Sequence, residues 1–244
     1  MTTFSLSSAL DLTRVLAGIA VLLQNLEMRS LRKSLARIGG SFTDRYFGGI
    51  LAMQLFGVLC LIVLPDFHAP SAAVVFATSL LISVHFRGSF NGGADAMTLV
   101  ILSALCVAFA FPSHPLATKA ALVYIGLHST LSYVIAGISK LKKSRWRSGA
   151  EIRDSLKDSS YAVPATLVRS FSEAPTAFAV SWTLMLFEIA VVPALMSPHT
   201  LSAWLVLALA FHLLNFAALG LNRFLFVWVA TYPALIYLGE TLRA

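Results

Sequence analysis

Charge is scarce in this sequence. Asp, Glu, Lys and Arg together make up 12% of its 244 residues, against about 25% in soluble domains. So little charge cannot cover a water-facing globule, and no large soluble domain fits. Acidic residues are scarcer than basic ones, 11 against 18, for a net charge of +7. In a soluble chain that excess points to nucleic acid. Here the basic residues sit in short connections between apolar runs, with no basic face interleaved with aromatics, and nucleic-acid binding is set aside. Cysteine is nearly missing. Cys60 and Cys106 both fall inside apolar segments, and neither belongs to a CxxC pair. They read as buried small side chains, and no metal site is expected.

What is present is apolar. Hydrophobic residues reach 58% and the mean hydropathy is +0.81. A membrane-crossing helix needs roughly 20 predominantly apolar residues. Such segments run over 7–26, 47–65, 71–88, 96–113, 117–140, 176–196, 201–219 and 223–240. Pro65, Pro70, Pro112, Pro115, Pro175, Pro198 and Gly220 punctuate their ends, where residues that break helices belong. The pattern predicts an all-α, polytopic transmembrane helical bundle of about eight helices, forming a single domain over residues 1–244. The first segment is the least apolar, because it carries Asp11, Arg14, Gln24 and Asn25.

Orientation follows from Lys and Arg, which accumulate in cytoplasmic loops. The connection after the first segment holds Arg29, Arg32, Lys33, Arg37 and Arg45, and Arg87 ends the third. The connection after the fifth holds Lys140, Lys142, Lys143, Arg145, Arg147, Arg153, Lys157 and Arg169, and Arg223 separates the last two segments. On an alternating path all of these fall on one side, while the other side has Lys119 and Arg243. The expectation is a plasma or inner-membrane protein with basic loops in the cytoplasm and both termini outside. Residues 141–175 form the longest polar stretch and read as a cytoplasmic interfacial helix plus loop, with Trp146 at headgroup level.

Ionisable groups at membrane depth are expensive and usually face the bundle interior. Asp11 and Arg14, three residues apart on one helix, are spaced to pair with each other. Glu188, in FEIAVVP, needs a partner or a proton. His128 and His212 lie at matched depth, each roughly 16 Å from the outer end of its helix at 1.5 Å rise per residue. Two such imidazoles are the residues that would ligate a haem iron, but hydrogen-bonded core histidines are the expectation and haem is not. Asn215 shares a helix face with His212. Ser129, Tyr133, Gly137 and Lys140 form a small and polar stripe down one face of the fifth helix. By itself the stripe reads as close helix packing ending in a snorkelling lysine.

The run YVIAGISKLKKSRWRSG changes that reading. Tyr133, Ala136, Gly137, Lys140 and Leu141, followed by Trp146 and Gly149, resemble a helix-ending signature of the vitamin-K-dependent γ-carboxylase-like membrane domain. This is also called the HTTM (horizontally transferred transmembrane) family. Arg14 with Gly18, the stretch FNGGADAMTLV around Asn91, Glu188, and FHLLN with His212 and Asn215 resemble further family segments in the same order. The resemblance implies that Lys140 is the base that deprotonates a quinol. It also implies that His212 takes part in the chemistry, that Tyr133, Asn215, Glu188, His128 and Arg14 line the cavity, and that Gly137, Trp146 and Gly149 hold the motif. The cofactor it implies is a quinone or quinol. A lysine is ordinarily protonated near neutrality and serves as a base where burial and neighbouring cations favour its neutral form. Lys142, Lys143, Arg145 and Arg147 are such neighbours. Where the carboxylase carries a functional histidine, Gly92 and Gly93 stand here, and its lumenal substrate domain has no counterpart in these 244 residues.

Two readings stay open. In the first, the chain is a membrane-embedded enzyme or redox protein acting on a quinol-like or other lipid-soluble substrate. In the second, it is a non-catalytic scaffold or cofactor-holding subunit of a larger membrane complex, with a membrane protein or peptide as partner. In both its immediate environment is the lipid bilayer.

Overall fold

The computed structural model describes residues 4–31, 46–86, 92–157 and 163–244. Arg32, Lys33, Arg37, Arg45, Arg87 and Asn91 lie outside the described residues. Every regular element among the described residues is a helix. The longer ones are α1 (Leu6–Ser30), α2 (Phe47–Val63), α3 (His68–Phe86), α4 (Gly92–Ala110) and α5 (Pro115–Leu141). Three short helices follow, α6 (Ser144–Arg147), α7 (Ala150–Lys157) and α8 (Ala165–Ser172). Then come α9 (Ala174–Ile189), the single turn α10 (Val191–Ala194), α11 (Pro198–Leu219), α12 (Asn222–Ala230) and α13 (Tyr232–Arg243).

Six helical stretches are long and apolar enough to cross a membrane, and Phe47–Val63 and Ala174–Ile189 are shorter apolar helices. Each of the eight expected segments therefore meets a helix, and the chain is an all-α polytopic membrane protein. Local sequence explains the ends. Ser5 caps α1 by accepting the Ser8 N–H at 3.0 Å, as N-cap serines do. Proline opens α5 and α11 and sits in the first turn of α9, where its missing N–H goes unneeded. Two segments that read as continuous are interrupted. The sixth breaks after Ile189 in a stretch that contains Pro193, and the eighth breaks at Thr231 just before Pro233. A proline ring inside a helix removes one hydrogen bond and crowds the preceding turn.

The chain divides into two compact units. One comprises Met1–Gly126 with Phe226–Leu238. Its core includes Met28, Phe47, Leu51, Ile82 and Phe86 in one cluster and Val21, Val58, Val75 and Leu102 in another. Buried amides tie its helices together. Asn25 Nδ2 donates to Leu51 O at 2.9 Å and to Gln54 Oε1 at 2.8 Å. Gln54 Nε2 donates onward to Ser79 Oγ at 3.0 Å. Hydrogen bonds between helices substitute here for the hydrophobic drive that lipid does not supply. The other unit comprises Leu127–Leu225 with Gly239–Ala244, and it contains the sequence signature.

Candidate functional site

The stripe on α5 is a true face. Ser129 and Tyr133 are buried, Gly137 is buried beneath them, and Lys140 completes the row in the last turn. Gly137 is glycine for a physical reason. A Cβ there would stand 2.7 Å from Ile189 Cγ1, 3.1 Å from the Met185 carbonyl oxygen and 3.2 Å from Glu188 Cβ. The absence of a side chain lets α9 close onto α5, and that approach brings Glu188 to Lys140.

Lys140 Nζ donates to both carboxylate oxygens of Glu188, at 2.5 Å and 2.7 Å. The glutamate side chain is 5% exposed and the lysine side chain 22%, so the pair is shielded with the amine on its more open side. The indole ring of Trp146 lies 5.3 Å from the same nitrogen, within cation–π reach.

Trp146 is held by its backbone. Ser181 Oγ donates to the Trp146 carbonyl at 2.5 Å, and Trp182 Nε1 donates to the Arg147 carbonyl at 3.2 Å. Gly149 ends the turn with φ of 75°, in the left-handed region that glycine enters without a steric penalty. A Cβ at this position would lie 2.5 Å from Phe178 N. The signature residues thus serve one arrangement. Gly137 admits α9, Gly149 and Ser181 fix the turn after α5, and Trp146 covers the amine.

The interfacial stretch, expected as a helix plus loop, contains α6, α7 and α8. Arg145 donates to Glu151 at 2.9 Å and to Asp154 at 2.5 Å. The bond to Glu151 and then that to Asp154 raise the pKa of its guanidinium further. Arg145 is therefore compensated locally.

Two turns before Lys140, the Tyr133 hydroxyl and His212 Nε2 lie 2.6 Å apart. His212 is fully buried within an aromatic shell. Trp204 meets Tyr133 edge-on at 4.8 Å, Phe187 stacks on Trp204 at 5.2 Å, and Phe224 lies 5.4 Å from the imidazole. Trp204 Nε1 donates to the Phe187 carbonyl at 3.0 Å. The shell keeps water away and locks the pair in one geometry.

The remaining sequence-selected residues take separate places. His128 is half-buried on α5, and Asn215 is half-buried on α11. Arg14 belongs to the other unit, where Nη1 donates to the carbonyls of Leu61 at 2.5 Å and Ile62 at 2.9 Å. Arg14 Nε stands 3.5 Å from Asp11, so the expected pairing is present. Its larger engagement is with the carbonyls at the C-terminal end of α2, the negative pole of that helix. Cys60 and Cys106 are free thiols. No group of three or more His, Cys, Asp or Glu side chains placed to hold a metal ion occurs among the described residues.

Ser181, Gln54 and Asp95 are polar contributors that pattern reading passed over. Each is a polar residue within a mostly apolar helix, a signal available in the sequence. Their partners lie on other helices.

Apolar helices of spanning length, with the shielded Lys140–Glu188 pair among them, define a polytopic α-helical integral membrane protein. The model of the HTTM domain matches residues 115–238, just over half of the chain, and the protein belongs to the HTTM family. Neither a curated protein nor a solved structure matches it.

Proposed function

We propose that the protein is a membrane-embedded acid–base catalyst of a quinol-like or other lipid-soluble substrate, with Lys140 as the base. The observation that carries this reading is the shielded Lys140–Glu188 pair at the end of α5. Burying an ion pair is a poor way to stabilise a fold, because desolvation offsets most of the attraction. An ionisable pair among apolar helices is accordingly a functional-site candidate. The pair also supplies what a lysine base requires. A proton can pass from the ammonium to the Glu188 carboxylate over the hydrogen bond already formed, leaving a neutral amine beside a neutral acid. That amine then takes the proton of a substrate hydroxyl, and the resulting ammonium stabilises the substrate anion. Tyr133, His212 and Asn215 belong to the same reading as further polar groups of the site, His212 through its bond to Tyr133. The basic linker carrying Lys142, Lys143 and Arg147 faces the cytoplasm in this proposal, and the protein resides in a plasma or inner membrane.

The second reading, a scaffold or cofactor-holding subunit with a protein or peptide partner, is favoured by one observation. The Glu188 carboxylate is satisfied through both oxygens and the lysine is covered by Trp146, so the pair also works as a clamp between α5 and α9.

Lys140→Arg separates the two. Arginine keeps the charge and forks onto a carboxylate bidentately, so the clamp survives. Its guanidinium does not deprotonate in proteins, so the base is lost. General base catalysis contributes about 10²–10⁴-fold. Quinol-dependent turnover should fall by that order in Lys140→Arg protein that still accumulates in the membrane. Lys142→Arg and Lys143→Arg should remain active. Full activity in Lys140→Arg would leave the clamp reading in place, as would a stoichiometric partner whose binding ignores the substitution.

A further inference from the structure

We infer that the turn after α5 and the adjoining face of α9 form a binding site for an anionic phospholipid. Its phosphate would be held by Lys142, Lys143 and Arg147, and its acyl chains would lie along Phe178, Trp182 and Leu186. All six residues belong to the unit that contains the sequence signature, and the inference is independent of proton transfer at Lys140. Lys142, Lys143 and Arg147 are exposed, and the fold gathers them. The Lys143 N–H donates to the Lys140 carbonyl at 3.0 Å and the Arg147 N–H to the Lys143 carbonyl at 3.2 Å, so the chain turns tightly here. Arg147 Nη1 donates to the Leu141 carbonyl at 2.9 Å, which returns the guanidinium to the end of α5 beside the two lysines. The acids of the linker do not cancel this charge. Glu151 and Asp154 both accept from Arg145. From Lys142 to Asp158 there are six cationic residues and three acidic ones, so the excess stands with Asp158 counted among the acids.

The second half of the site is apolar and starts where the first ends. Phe178, Trp182 and Leu186 recur every four residues and so share one face of α9. The Phe178 backbone lies against Gly149. Trp182 Nε1 donates to the Arg147 carbonyl at 3.2 Å, which joins the apolar face to the basic turn. Leu186 is a turn further in, next to Met185, whose carbonyl approaches Gly137. Phe178 and Leu186 are 49% and 58% exposed, and Trp182 is half-buried with its ring 6.1 Å from that of Phe178. Indole rings favour the headgroup level of a bilayer, and the face below Trp182 suits hydrocarbon. A ligand that fits both halves is negative at one end and apolar along the rest. Arginine meets phosphate with paired N–H donors, and lysine adds a point charge. Each basic residue at the end of a spanning helix favours anionic lipid by about fivefold. A zwitterionic headgroup would bring its own cation against these three.

The test uses the full-length protein reconstituted in vesicles of phosphatidylcholine and phosphatidylglycerol, with one lipid or the other carrying brominated acyl chains that quench nearby indoles. Trp204 and Trp228 are buried, while Trp146 and Trp182 are half-buried at the site, so the site carries its own reporters. At equal mole fraction, brominated phosphatidylglycerol should quench tryptophan fluorescence more than brominated phosphatidylcholine. The double variant Lys142→Gln/Lys143→Gln should remove that excess, and Arg147→Gln should lower the relative affinity about fivefold. Lys142→Arg/Lys143→Arg should keep the excess, as should Lys119→Gln in the first turns of α5. Inorganic phosphate added at matched ionic strength should not displace the lipid, because it has no chains to lay on α9. Equal quenching by the two lipids overturns the inference. So does an excess that survives Lys142→Gln/Lys143→Gln, one that Lys119→Gln removes as well, or one that inorganic phosphate abolishes.

Discussion

At the scale of single residues, the question is whether Lys140 and Glu188 exist for stability or for chemistry. Removing one member of a buried pair leaves an uncompensated charge and costs about 3–5 kcal/mol, whereas replacing both with apolar residues of similar volume is often neutral or stabilising. Glu188→Leu alone should therefore lower the melting temperature of the purified protein markedly. The double variant Lys140→Met/Glu188→Leu should recover most of that loss. Turnover should stay absent in both. A double variant that melts normally and turns over would remove the pair from the chemistry altogether. One that melts as low as Glu188→Leu would mean that the hydrogen-bond geometry itself holds α5 to α9. Gly137 bears on the outcome, because the close approach of α9 at that position requires the missing side chain.

At the scale of elements, the eight apolar segments were legible because lipid imposes length and apolarity on anything that crosses it. The internal breaks were harder to see. Pro193 and Pro233 lie within runs whose apolarity continues on both sides, so hydropathy passes over them. The pairings were illegible for a different reason. Glu188 follows Lys140 by 48 residues and His212 follows Tyr133 by 79. Which faces of two helices meet depends on rotation and register, and one sequence does not state these. Gly137, Trp146 and Gly149 were legible as a motif, but their purpose became physical only through Ile189, Ser181 and Phe178 on α9. Gly149 offers the element-scale test. Alanine there would have to adopt positive φ, at a cost of about 1–3 kcal/mol, and would push against the α9 backbone 2.5 Å away. Gly149→Ala should release the turn at Ser144–Arg147, seen as faster trypsin cleavage at Arg145 and Arg147 in the detergent-solubilised protein. Unchanged cleavage would show that the hydrogen bonds from Ser181 and Trp182 hold the turn without Gly149.

At the scale of the whole molecule, the distribution of Lys and Arg biases orientation in the membrane. In the proposed orientation, Arg29, Lys142, Lys143, Arg147 and Arg223 belong to the basic side of an alternating path. Lys119, Arg243 and Arg14 do not. The structure gives two of those three cations another task. Arg14 donates to the carbonyls that end α2. Arg243 Nη1 donates to the Leu195 carbonyl at 2.5 Å, just past α10. Both neutralise helix C-terminal carbonyls, so they complete the fold at positions where their charge is already engaged. Among the described residues, Lys119 is exposed in the first turns of α5. In the proposed orientation, the bias that retains positive loops in the cytoplasm is thus stronger than a count of basic residues implies. In a cysteine-free background, a cysteine at position 147 should react with a membrane-impermeant maleimide only after the cytoplasmic face is opened. Cysteines at positions 114 and 199 should react in intact cells. Reversing the charge at position 119 should not alter this pattern, because one residue opposes a linker that carries many. Labelling of position 147 in intact cells would invert the orientation and place the Lys140–Glu188 pair on the outer side of the membrane, so that its substrate would exchange protons with the exterior.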